Sequence, residues 1–537
     1  METYAKGCFG IQESVWGWII LLHNHQPESS LTSSYLPGMH IHRWSRQGSI
    51  GYVMAELIKN AVHGLNGFIW GPGMLVMFLA VGILFTVRTG FFQFTHIRLW
   101  MGRTIVALFR NRNVRKTDDE HAISQFQSFC TALAATLGTG NITGVATAII
   151  AGGPGAIFWM WVSALLGMMT NFAENILGIR YRRKDSKGDW TGGAMLYIEK
   201  GLHCPWLAAV FAFLCILASL GMGNMTQANS MAVGLKEAFS VPPVLTGVLS
   251  MAAVGLVLLG GVKRLAKVTE KVVPFMAVFY LAGGIFVLAV HWRNIPQAFS
   301  TIVTEAFQLR SVGGGVLGYG MRQAMKMGIA RGIFSNEAGL GSSVMAHIAS
   351  DVKEPVVQGM WGIFEVFADT VVVCTITALV ILTSGVYDKT QCLSNIVNGI
   401  ENIDGTTLTG LAFETAIPGG SKFMAAAIVL FAFATIVGWS YFGVQAVTYL
   451  LGERYIRFYK LLYIVVILPG CVTAPGFIWE LADTMNGCMA IPNLIAITLL
   501  SGEVTAATRK YLNTVQKEQD SAQKKKRNNI KRISKNN

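Results

Sequence analysis

The stretch Leu137-Gly138-Thr139-Gly140-Asn141-Ile142-Thr143-Gly144 interrupts an otherwise apolar run from Ser124 to Ile150. A second stretch, Ser335-Asn336-Glu337-Ala338-Gly339-Leu340-Gly341-Ser342-Ser343, interrupts the run from Arg322 to Ile348. As a continuous helix, residues 124–150 would extend about 40 Å, past the roughly 30 Å of a bilayer's hydrocarbon core. Each glycine lowers helix stability by about 1 kcal/mol relative to alanine, so clustered Gly, Thr, Asn and Ser make mid-span unwinding cheap. Unwound backbone is tolerated at membrane depth only where it lines a polar cavity or is buried in protein. Its free N–H groups attract a carboxylate, and its free carbonyls suit a hard cation. The competing reading is close helix packing through small residues, which the spacing of Gly140 and Gly144 fits. Two such interruptions, each opening a block of five spans, favour a binding site over packing.

The rest of the 537-residue chain supports a membrane setting. Hydrophobic residues make up 52%, charged residues 13%, and the mean hydropathy is +0.47. A soluble domain carries about 25% charge, so too little is present to coat several soluble domains, and disorder over most of the length is excluded. Eleven apolar spans are read: 68–87, 124–150, a third ending near Arg180, 206–235, 243–261, 272–292, 322–348, 357–384, 422–451, 461–481 and 490–507. Lys and Arg cluster at 88–116, 180–187, 263–267, 353, 454–460 and beyond 509. These clusters follow alternate spans, which predicts the amino terminus outside and the carboxyl terminus in the cytoplasm.

The expected organisation follows. Residues 1–63 are an N-terminal extension, with Met54 reading as a natural start; Val15–Leu22 is too short to span and makes a weak signal peptide. Residues 64–123 hold an extra first span and a basic amphipathic segment. Residues 124–292 and 322–508 are two five-span repeats of inverted topology, joined by an outer segment at 293–321. The tail, 509–537, has ten basic and two acidic residues and reads as disordered, with an attraction to membrane lipids. It lacks the aromatic interleaving of a nucleic-acid site, so the net charge of +14 is no sign of nucleic acid. The eight cysteines form no CxxC pair and read as packing residues; a disulfide between Cys392 and Cys488 is a guess.

An acid inside a span costs about 2.5–3.5 kcal/mol and needs a partner, a proton or a cation. Glu337 and Asp369 are candidates for cation or substrate binding, or for pairing with Arg322, Lys326 or Arg331. Glu174 reads as structural or gating near the inner face. Gln227 and Asn224, three apart, share a helix face that either lines a cavity or bonds between helices. Thr435 is a candidate cation oxygen and Trp439 a wall for a small side chain. His347 and His121 read as surface or structural residues. No Walker A, HExxH or GxSxG motif is present, so ATP-driven transport and these hydrolases have no support.

The runs GTGNITGVATAIIAGGPGAIFWMW (138–161), TVRTGFFQF (86–94), GIARGIFSNEAGLGSSVMAHIA (328–349) and ADTVVVCTITAL (368–379) resemble the alanine or glycine:cation symporter family. The resemblance covers about Met54 to Leu512. It implies an all-α polytopic protein of the amino acid–polyamine–cation superfamily type, with discontinuous first helices in each repeat. It implies a sodium-coupled importer of alanine or glycine in a bacterial inner membrane, with no cofactor beyond the coupling ion, acting as a monomer. A proton-coupled carrier is the alternative. The residues expected at the substrate are Gly138, Thr139, Gly140, Asn141, Gln227, Asn336, Glu337, Gly339, Gly341 and Trp439. Those expected at the metal are Asn141, Thr435 and Asp369.

Overall fold

The computed structural model describes residues 46–307, 319–397, 400, 402–473 and 475–536. The expected dispensable segment before Met54 lies mostly outside the described residues. Apart from a two-stranded hairpin pairing Arg183–Lys184 with Trp190–Thr191, the described chain is helical.

Helix α1 (Arg46–Ile69) meets α2 (Pro72–Arg88) at 41°. Short helices then cover Phe92–Arg115. The first interrupted span is α3 (Gln125–Thr136), a single turn at Thr139–Asn141, and α4 (Thr143–Gly152). Its start is set by a capping box: Ser124 Oγ accepts from the Gln127 N–H and Gln127 Oε1 from the Ser124 N–H. Gly153, at φ +72°, makes the turn into α5 (Gly155–Tyr181). Helices α6 (Pro205–Phe239), α7 (Pro243–Leu258), α8 (Gly261–Val290) and α9 (Ile295–Ala306) follow.

The second interrupted span is α10 (Tyr319–Asn336), an unwound stretch, and α11 (Val344–His347). Then come α12 (Pro355–Thr383), α13 (Lys389–Val397), α14 (Gly405–Glu414), α15 (Gly420–Leu450), α16 (Glu453–Val472), α17 (Pro475–Leu499) and α18 (Ser501–Asn536). Proline in the first turn of α2, α6, α7 and α12 fits the fixed φ and missing N–H of that residue.

Six of these helices are long and apolar enough to cross a membrane, or up to eight if each bent pair counts as one span. The two halves of the first interrupted span and the 16-residue α7 fall short of that length, and the 18-residue α10, with Arg322, Lys326 and Arg331, is not apolar enough. Large apolar side chains stand exposed along α7, α8 and α16, among them Leu249, Leu256, Phe275, Val278, Phe458 and Leu461, as lipid contact requires.

Two expectations are corrected, the span 461–481 and the disulfide. The reading of 461–481 as one span is wrong. The helix that crosses ends at Val472, and residues 475–481 open the next one, because Thr473 is extended and Pro475 starts α17. In the tail, α18 continues to Asn536, bent by 57° from α17, with Val504 and Tyr511 buried against the body. Cys392 and Cys488 are free thiols.

The basic connections converge on one end of the bundle. There Arg88 donates to Ser501, Arg180 pairs with Glu503 at 2.9 Å, and Lys187 with Glu453 at 3.3 Å. Arg182 donates to the carbonyls of Ile348, Ser350 and Val352. Burial draws its guanidinium down to about 10, still charged at neutral pH. Lys389–Glu305 at 2.8 Å and Thr407–Glu237 at 2.7 Å join a different set of connections, those poor in Lys and Arg.

Candidate functional site

Both interruptions unwind where the sequence places them, and their residues are buried. The packing reading of Gly140 and Gly144 loses its second member. A Cβ at Gly144 would meet nothing within 4 Å, whereas one at Gly140 would lie 3.2 Å from the Phe334 ring.

At the first unwound segment, Thr435 of α15 stands against the free carbonyl end of α3. Its Oγ1 lies 3.0 Å from the Ala134 carbonyl oxygen and 3.3 Å from that of Leu137. These oxygens are neutral and hard, and they sit at the negative end of a half-helix. A Cβ at Gly138 would come within 2.7 Å of Thr435 Oγ1, so only glycine permits this approach. On the other side, the Thr139 N–H and Oγ1 both donate to Gln227 Oε1, at 3.1 and 3.0 Å. Gln227 therefore faces the site. Asn224 does not share it: its Nδ2 donates to the Tyr463 carbonyl at 2.6 Å. A π-turn at Gly221–Met225 separates the two in rotation.

Asn141 bridges outward. Its Oδ1 accepts from the Gly138 N–H at 3.0 Å and its Nδ2 donates to Asp369 Oδ1 at 2.6 Å. Asp369 sits in a π-helical stretch of α12, Phe367–Cys374. Its Oδ2 accepts from Ser335 at 2.8 Å and Thr370 at 2.7 Å, and Thr370 accepts from Asn336 at 3.0 Å. One carboxylate thus ties both unwound segments together. The pairing with Arg322, Lys326 or Arg331 does not occur for it. Arg331 instead forms a two-pronged pair with Asp483 of α17, at 2.7 and 3.2 Å, above the rings of Phe334 and Trp479.

Glu337 takes the left-handed conformation, φ 57°, in the second segment. Its carboxylate accepts from Trp439 Nε1 at 2.7 Å and Ser342 Oγ at 2.5 Å. Trp439 is held close because Gly223 has no Cβ; one there would lie 2.4 Å from the Trp439 side chain.

Glu174 is bonded to the second unwound segment. Its Oε1 accepts from the Gly341 N–H at 3.1 Å and from Asn493 at 2.5 Å, and Asn493 also donates to the Gly339 carbonyl at 2.9 Å. Tyr197 OH donates in turn to Asn493. The arrangement is reciprocal. The helix after the first interruption supplies a carboxylate to the second, and the helix after the second supplies one to the first.

His121 pairs with Asp189 on the surface, and His347 is fully buried and bonded to Glu365. Thr377 (donating to the Asn141 carbonyl at 2.8 Å) and Asn493 are residues at the site that sequence reasoning missed. Asn493, a lone amide in an apolar run, gave the clearest signal.

Residues 54–526 match the model of the sodium:alanine symporter family. The chain belongs to this family. A sodium/alanine symporter of Methanococcus maripaludis is 41% identical over 84% of this chain and 96% of its own. A probable sodium/glutamine symporter of Bacillus subtilis is 36% identical over 85% and 91%. A putative sodium/proton-dependent alanine carrier of the same organism is 36% identical over 84% and 92%. Among solved structures, a sodium-coupled sialic acid symporter shares 14% identity and a TM-score of 0.45, covering 83% of this chain and 86% of that one. As a member of the sodium:alanine symporter family, the protein is a multi-pass membrane transporter that couples amino-acid movement to a cation, and it is not an enzyme.

Proposed function

We propose that this symporter imports small neutral amino acids, alanine and glycine, together with sodium, across a bacterial inner membrane. It would use eleven spans, with residues 124–292 and 322–508 as inverted repeats and the amino terminus outside. The observation that carries the reading is Thr435 Oγ1 beside the free carbonyls of Ala134 and Leu137, an all-oxygen, uncharged set suited to sodium. Asn141 and Asp369 act with it, bridging the cation region to the second unwound segment.

The substrate's backbone lies along Gly138–Asn141 and Asn336–Gly341, with Gln227 and Glu337 as polar partners. Trp439, fixed by Glu337 and Gly223, limits the side chain to a small one. The relatives' names support this: one is a sodium/alanine symporter. Another is a probable sodium/glutamine symporter, so glutamine belongs in the test as a competitor. Proton coupling is the second reading, favoured by the relative called a sodium/proton-dependent alanine carrier. A pH gradient imposed on sodium-free proteoliposomes separates the two. No alanine uptake supports sodium as the coupling ion, and concentrative uptake would overturn it.

A further inference from the structure

We propose that His347 and Glu365 form a proton-binding site that loads when the transporter closes around its cargo. His347 sits on α11, the half-helix that continues the second unwound segment, and Glu365 on α12. Both side chains are 0% exposed, and His347 Nε2 lies 2.8 Å from Glu365 Oε2. That oxygen also accepts from Asn171 of α5 at 3.4 Å, while Glu365 Oε1 has no partner. The other three buried acids of the site are engaged by donors on unwound backbone or its neighbours. Glu365 alone faces an imidazole, and His347 is the one fully buried histidine among the described residues.

Charge decides the protonation. Neutral imidazole with ionised carboxylate leaves a net negative charge in a dry interior, which costs several kcal/mol on the scale of buried ions. One added proton makes the pair neutral overall. No cation nearby substitutes for it. The α3 helix and residues 423–450 of α15, both packed on α11, carry no charged residue. α5 brings Glu174 and, at its far end, Arg180, which is taken up by Glu503; α12 brings only Asp369 beyond Glu365 itself, and the unwound segment before α11 brings Glu337, so the charges left without a cation are all acidic. Arg182 is spent on the carbonyls of Ile348, Ser350 and Val352.

The surroundings accept either state. Gln358 Nε2 lies 2.5 Å from His347 Nδ1 and 3.3 Å from Ser128 Oγ, and its Oε1 is unpartnered. In this orientation Nδ1 accepts and the ring is neutral. Turned over, the amide presents its oxygen to an Nδ1–H, and the imidazolium is satisfied. When the helices part and water reaches the pair, the penalty on the charged form falls and the proton can leave. Closure therefore takes up a proton, and opening at a pH above the ordinary histidine range releases it.

The test uses the full chain, purified in weakly buffered detergent at about pH 8. Saturating sodium and labelled alanine are added while the pH and the bound label are followed in the same sample. The expected result is net proton uptake, approaching one per alanine bound, in the unsubstituted protein. His347→Gln should keep alanine binding and lose the proton uptake. Glu365→Gln, which preserves shape and one acceptor oxygen, should lose it too. Proton uptake in His347→Gln equal to that of the unsubstituted protein overturns the proposal. So does alanine binding with no proton uptake in the unsubstituted protein. Failure of alanine to bind contradicts the substrate reading instead. The pH dependence of sodium binding, expected to vanish in His347→Gln, then decides the proton site.

Discussion

Thr435 shows how much one side chain carries. Its hydroxyl is set against the open carbonyls of both Ala134 and Leu137. Thr435→Ala should raise the half-saturating sodium concentration about tenfold, the equivalent of ~1.4 kcal/mol. Alanine uptake at graded sodium checks this. Asn141→Ala should do the same by a different route, by freeing Asp369 from the first unwound segment. Combined with Asp369→Asn, its effect should be non-additive by about 1–2 kcal/mol, because the two share one hydrogen bond. Gly138, Asn141 and Thr435 were legible in the sequence because polar or glycine residues inside an apolar run need a reason. Of the two readings of His347, surface or structural, the sequence did not favour the buried one, because Ser350, Asp351 and Lys353 follow it and make its segment look like a surface loop. Only tertiary structure brings Arg182, Gln358 and Glu365 over it.

At the level of elements, the second broken span depends on left-handed backbone at Glu337, Gly339 and Gly341 held by partners. Gly341 has φ +71°, and a Cβ there would lie 2.8 Å from the Asn493 side chain. Gly341→Ala should therefore cost about 1–3 kcal/mol of stability, read from thermal unfolding in detergent. Arg331 links the first half of the second broken span to α17 through Asp483, both side chains being mostly buried. Arg331→Ala should lower stability by about 3 kcal/mol by stranding Asp483, and adding Asp483→Ala should restore part of it. A single-residue loss equal to the double loss would place the stability elsewhere.

The reversal between α16 and α17 was legible only in Thr473 and Pro475, since apolar residues continue on both sides and hydropathy alone sees one run. The helix in the tail is not signalled by its charge. Lys, Gln, Glu, Ala and Arg are good helix formers, and α18 also has Val504 and Tyr511 to anchor its first turns.

For the whole molecule, the alternation of basic and non-basic connections was the most readable feature, because it depends on many residues rather than one. The convergence of Arg88, Arg180, Arg182 and Lys187 on one end agrees with it. The reciprocal bracing by Glu174 and Asp369 was not readable, because each acid meets a segment more than 160 residues away in sequence. The proposed orientation makes Asp388 external and Lys187 cytoplasmic. Single cysteines at these positions, in a background with the native cysteines replaced, should react and fail to react, respectively, with a membrane-impermeant thiol reagent on intact cells. The reverse pattern would invert the topology. The central claim is sodium-driven import of a small neutral amino acid, and the most direct measurement is uptake of labelled alanine and glycine into proteoliposomes with and without an inward sodium gradient. Concentrative uptake that appears only with the gradient is the predicted result, and uptake indifferent to sodium would contradict the account.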